Sequence, residues 1–167
     1  ELIDKNKKVL VWSNFILTLN FIKKKLQEKK IVVEQIIGKT SSERREEISD
    51  EFNNQNSKLQ VIIANPKACS ESISLHKDCQ NAIYYDMSYN AAEFLQSLDR
   101  IHRVGGSEKF PVNYFFLNYQ NSVDEKIFSR VRQKADEQMK IIEKDNLLFS
   151  DSEEDEDYDE LYKSLNL

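Results

Sequence analysis

The stretch Gln96-Ser97-Leu98-Asp99-Arg100-Ile101-His102-Arg103-Val104-Gly105 sets two guanidiniums three residues apart. On a helix that spacing puts Arg100 and Arg103 on one face, where both planar forks can converge on a single anion. Asp99 can orient one fork, and Gln96 adds an amide one turn earlier. The same spacing also fits a helix braced by ion pairs, and periodicity alone favours bracing. His102 is expected to pack against the helix rather than react. Nowhere do the 167 residues carry GxxxxGK[ST], or an Asp-Glu pair behind a strand, so the chain by itself offers a nucleotide no cradle.

These residues need a frame, and the sequence supplies one of alternating strands and helices. Lys8 to Trp12 is a short apolar run, as in a strand buried on both faces. Ser13 or Asn14 can cap the following helix, with Phe15, Leu19, Ile22 and Leu26 on its inner face. Lys23, Lys24, Lys25, Lys29 and Lys30 crowd its far end, where a solvated, dipole-matched terminus is favoured over a phosphate patch. Ile31 to Ile37 reads as a second strand, broken by Gly38. Thr40, Ser41 and Ser42 are cap candidates for a charged helix through Phe52, which turns Ile48 and Phe52 inward. Strands follow at Leu59 to Ala64, Asn81 to Tyr85 and Val112 to Leu117. Helices are expected over Ala91 to Arg103 and from Val123 to about Lys144. Connections this long imply crossovers and a mainly parallel sheet, hence an α/β three-layer domain with helices on both faces.

The net charge of −5 is unevenly distributed. Asp151 to Glu160 holds eight acids and no base; with residues 151–167 set aside, 23 basic residues face 21 acidic ones. A mildly basic body is compatible with a polyanion partner without requiring one. The acidic tail repels itself and offers little to bury, so 146–167 is expected to be disordered and 1–145 to form the domain. Tyr158, Leu161, Tyr162, Leu165 and Leu167 could still supply a docking segment. Cys69 and Cys79 lack a CxxC partner and read as buried or incidental thiols in a reducing compartment, with no disulfide or metal expected. No run approaches a membrane span, and Glu1 to Lys8 has no secretory apolar stretch, so an intracellular location is expected. A start without Met suggests a piece of a longer chain.

Gln-x-x-Asp-Arg-x-His-Arg-x-Gly resembles motif VI of Snf-type superfamily 2 helicases at every specified position, with Gly106 replacing the usual Gln. Lys67-Ala68-Cys69-Ser70-Glu71-Ser72-Ile73-Ser74-Leu75 is similar to motif V: Lys67, Ala68 and Leu75 fit. Cys69, Ser70, Ser72 and Ser74 stand where the family usually has Gly, Gly, Gly and Asn. Tyr85-Asp86-Met87-Ser88-Tyr89-Asn90 resembles the strand end Tyr-Asp-x-x-Trp-Asn, and Val9 to Phe15 resembles motif IV. Gly38-Lys39-Thr40-Ser41, then Arg44 or Arg45 and Phe52-Asn53, is similar to the next helix start. Ser122 to Ile127 resembles the start of the bracing helix. The resemblance runs in order over roughly residues 7–143.

What the resemblance implies is the second RecA-like domain of a DNA translocase. Two such domains clamp ATP and Mg2+; the first holds the phosphates, and the second reaches in with arginines. Arg100 and Arg103 are then the expected catalytic fingers, with Gln96 and Asp99 positioning them at the nucleotide. Duplex DNA is the expected partner, together with the first domain. By motif position Ser13, Asn14, Thr40, Ser41, Lys67 and Ser70 are expected at the DNA backbone, where helix ends and loops offer N–H groups to phosphates. Helix capping uses the same hydroxyl geometry, so both roles are compatible. A helicase half acting on RNA or single strands, and a RecA-like module without activity, are the alternatives.

Overall fold

The computed structural model describes residues 2, 3, 7–69, 73–102 and 111–149; the acidic segment 151–167 lies outside that set. Five strands alternate with four helices. The strands are β1 (Lys8–Trp12), β2 (Val33–Ile36), β3 (Val61–Ala64), β4 (Cys79–Tyr84) and β5 (Asn113–Phe116). The helices are α1 (Ile16–Glu28), α2 (Ser42–Asn53), α3 (Ala91–Leu98) and α4 (Val123–Phe149), with a 3₁₀ turn over Pro66–Cys69. The sheet order is β2-β3-β1-β4-β5, and every neighbouring pair is parallel. The α/β three-layer expectation holds, with "mainly parallel" sharpened to all-parallel among the described strands.

β1 is central and buried at all five positions. Its period-two alternation divides the interior into two layers. Leu10 and Trp12 join Ile36, Ile48, Phe52, Ile62, Leu75 and Leu98 under α2 and α3; Val9 and Val11 join Leu19, Val33, Val61 and Ile63 under α1. α4 packs across α3 through Val131 and Ala135. At the amino-terminal edge of β1, Lys8 is 8% exposed; its ammonium donates to the carbonyls of Phe52 and Asn54 and pairs with Asp78 at 2.9 Å. A buried cation held this fully ties α2's end to the loop before β4.

Three expectations need correction. Neither Ser13 nor Asn14 caps α1, whose N-cap is Phe15 without a side-chain hydrogen bond. Phe15 precedes α1 in extended conformation (φ −105°, ψ 120°) and is 62% exposed, so only Leu19, Ile22 and Leu26 of the inner-face set pack inward. The helix expected through Arg103 stops at Leu98. Ser97 Oγ turns back to the Phe94 carbonyl at 2.6 Å and meets the Tyr84 hydroxyl, while Tyr114 Oη donates to the Leu98 carbonyl at 3.2 Å. Side-chain donors thereby take up carbonyls near the helix end. Asp99, Arg100 and Ile101 follow as turns.

Candidate functional site

The carboxyl ends of the strands carry the first group of candidates, where ligands of open parallel sheets sit. Asp86, just beyond β4, receives three donors from the loop after β1. The Ser13 hydroxyl donates to Oδ2, while the Asn14 backbone N–H and Nδ2 donate to Oδ1 at 2.7 and 3.0 Å. Ser13 Oγ also accepts the Phe15 N–H at 3.2 Å, and the residue is fully buried. The Ser13 hydroxyl therefore braces the loop and is not at the surface. Asn14 is partly exposed, and its carbonyl accepts Asn65 Nδ2 at 2.9 Å. Asn65 Oδ1 in turn accepts the Lys67 N–H at 3.0 Å. The Lys67 ammonium is 71% exposed and stands 3.6 Å from Glu93. One chain of polar contacts thus joins the loops after β1, β3 and β4. Asp86 and Asn65 are its junctions, and neither was among the expected site residues; a polar residue within two positions of the ends of β3 and β4 was the available signal.

Thr40 and Ser41 lie in the loop after β2. Thr40 Oγ1 accepts the Ile37 N–H at 3.1 Å, closing a turn, and Ser41 Oγ caps α2 by accepting the Arg44 N–H at 3.3 Å. A hydroxyl that accepts still has its own hydrogen to donate. The Glu43 carboxyl in the same first turn is held below its ordinary value by its own backbone N–H and then by Ser41. Arg44 turns outward to Glu34 and Glu47, at 2.9 and 2.8 Å. Arg45 instead lies close enough for its charge to act on the buried Cys69 thiol.

The second group lies on α3 and just beyond it. α3 runs back from the β4 carboxyl end, so Arg100 arrives near residues 73–75, beside the amino-terminal side where Lys8 pairs with Asp78. Arg100 is 7% exposed. Its Nη1 donates to the Ile73 carbonyl at 3.3 Å, and its own carbonyl accepts the Leu75 N–H at 2.9 Å. Gln96 and Asp99 are exposed on α3 and at its C-cap. Arg103 and Ser70 lie outside the described residues, so the shared helical face expected of Arg100 and Arg103 is not described, and Arg100 itself stands beyond α3. Arg100, like Arg45, lies close enough for its charge to act on the Cys69 thiol, two residues beyond Lys67.

Cys69 and Cys79 are free and buried, and burial pushes both thiols up to about 12. Among the described residues no cluster of three or more His, Cys, Asp or Glu could hold a metal ion, and no helix is long and apolar enough to cross a membrane.

Residues 1–105 match the helicase conserved C-terminal domain. The ISWI chromatin-remodeling complex ATPase ISW2 of Saccharomyces cerevisiae is 30% identical over 78% of this chain and 11% of its own length. The DNA repair and recombination protein RAD54B of Homo sapiens is 29% identical over 74% of this chain and 13% of its own. The ATP-dependent helicase fft1 of Schizosaccharomyces pombe is 29% identical over 97% of this chain and 16% of its own. Among solved structures, the C-terminal part of the Fun30 ATPase domain superposes with a TM-score of 0.70 at 29% identity, covering 78% of this chain and 40% of that one. The chain thus spans well under a fifth of the length of these curated relatives.

Proposed function

Because the chain belongs to the helicase conserved C-terminal domain family, of the Snf type within superfamily 2, we propose that it is the second motor domain of an ATP-dependent DNA translocase. The substrate is ATP with its Mg2+, held mainly by a first RecA-like domain. This chain contributes Arg100 and Arg103, with Gln96 and Asp99 beside them. A loose phosphoryl-transfer transition state spreads negative charge over oxygens that a planar guanidinium can bridge. The duplex backbone is met at the strand carboxyl ends by Asn14, Thr40, Ser41 and Lys67, with Ser70 assigned to it by motif position alone, while Ser13 holds the Asn14 loop in shape through Asp86. Contacts from helix ends, hydroxyls and one lysine read phosphates without reading sequence, as a translocase requires.

The observation that carries this reading is the seat of Arg100. A buried arginine anchored at both its guanidinium and its carbonyl is fixed before any ligand arrives, which is the preorganisation that transition-state charge stabilisation demands. The test is steady-state ATP turnover with duplex DNA, per folded molecule, in a protein carrying both domains. Arg103→Lys keeps the charge but loses the fork, so turnover is expected to fall at least about 10²-fold with DNA affinity nearly unchanged. Arg100→Lys is expected to behave likewise. Full specific activity in a well-folded Arg103→Lys protein would defeat the finger assignment. The chain on its own is expected to turn over ATP at background.

A further inference from the structure

The carbonyl of Ser74 accepts two hydrogen bonds from α2. Ser49 Oγ donates at 2.8 Å and Asn53 Nδ2 at 2.7 Å. The other end of the same amide, Asn53 Oδ1, accepts the Lys77 N–H at 3.3 Å. Asn53 therefore clamps the segment 74–77 by both of its polar atoms, and Ser49, 8% exposed, seconds it.

The Ser74 carbonyl and the Leu75 N–H are opposite ends of one planar peptide unit. α2 grips the oxygen, and the hydrogen goes to the Arg100 carbonyl at 2.9 Å. One peptide earlier, the Ile73 carbonyl takes Arg100 Nη1 at 3.3 Å. Rotating the 74–75 plane would break the α2 contacts and the Arg100 contact together, because a rigid plane cannot turn at one end only. We propose that Asn53, supported by Ser49, is a positioning residue for Arg100: it fixes the peptide plane on which Arg100 is seated. The inference rests on the reading of Arg100 as a nucleotide-reaching arginine. It adds two α2 residues whose distance in sequence from Arg100 hides the connection.

The test is a double-variant cycle in the protein carrying both motor domains, reading kcat and KM for ATP with duplex DNA saturating. Asn53→Asp keeps the side-chain size but sets an oxygen against the Ser74 carbonyl. It is expected to lower kcat by about 10- to 10²-fold, as small misplacements of a reacting group do, with KM little moved. Arg100→Lys is the reference, and the double variant is expected to be no slower than Arg100→Lys alone, since both changes act on one group. Multiplying losses in the double variant would overturn the inference, because Asn53 would then act independently of Arg100. If Arg100→Lys is slow but Asn53→Asp turns over at the wild-type rate, the positioning role fails and the arginine assignment survives. If Arg100→Lys itself is fully active, the underlying reading fails and this inference falls with it. Should Asn53→Asp not fold, Ser49→Ala takes its place in the cycle, with an expected loss of about 3-fold for one hydrogen bond and recovery in Ser49→Thr.

Discussion

Three buried acids and the half-buried Tyr114 set how this domain responds to alkali. Burial raises the Cys69 and Cys79 thiols from 9.0 to about 12, and it raises the Tyr84 and Tyr114 phenols above their ordinary 10.0. Each group binds its proton more tightly folded than unfolded. Its contribution to stability is therefore complete below about pH 9 and is lost as pH climbs toward the folded values. The urea midpoint should hold steady from about pH 7 to 8.5 and fall above about pH 9, with a shallower fall in Cys79→Ala. A midpoint that rises through that window would contradict the burial of these groups. Thiol burial was one of two readings left open by two cysteines without a motif partner. The seat of Arg100 was not: its residue type announced affinity for an anion, but its Ile73 and Leu75 contacts depend on how two distant stretches fold together.

Elements were legible in proportion to how local their causes are. β1 follows the expected run residue for residue, because four consecutive apolar residues, Val9 to Trp12, mark a strand buried on both faces. α3 fell short of its sequence expectation: beyond Leu98 the Arg100 and Ile101 N–H groups turn to carbonyls three residues back, and Tyr114, from the following strand, joins them on the Leu98 carbonyl, a tertiary contact that no window along α3 contains. The start of α2 lies between these cases. Thr40, Ser41 and Ser42 all have cap chemistry, and geometry selects Ser41, whose φ of −66° and ψ of 159° aim Oγ at the Arg44 N–H. Ser41→Ala should therefore cost about 1 kcal/mol, whereas Ser42→Ala, exposed within the first turn, should stay within about 0.5 kcal/mol. Urea titration of the two variants side by side checks this. Equal losses would remove Ser41 from the cap position.

At the scale of the whole molecule, the α/β order was legible because regular crossovers leave few topologies open. The path from Ser41 to the seat of Arg100 was not, since helices return the chain across the sheet's height and sequence order carries no sign of it. α2 covers that height. Its 12 residues make a strut about 18 Å long. One foot is the Ser41 cap, on the side assigned to DNA; the other is bolted by Asn53 to the peptide plane beneath Arg100. A strut delivers thrust only while it is stiff. Glycine at the exposed mid-helix Glu46 would soften it at about 1 kcal/mol of stability. In the two-domain protein, Glu46→Gly should shorten the distance translocated per ATP consumed more than it slows ATP turnover itself, as a single-molecule stepping assay would read. Unchanged distance per ATP would mean that the load travels by another member. If thrust does pass along α2, the axial rigidity of one surface helix, apart from any contact it makes, limits how much of the energy of hydrolysis becomes motion.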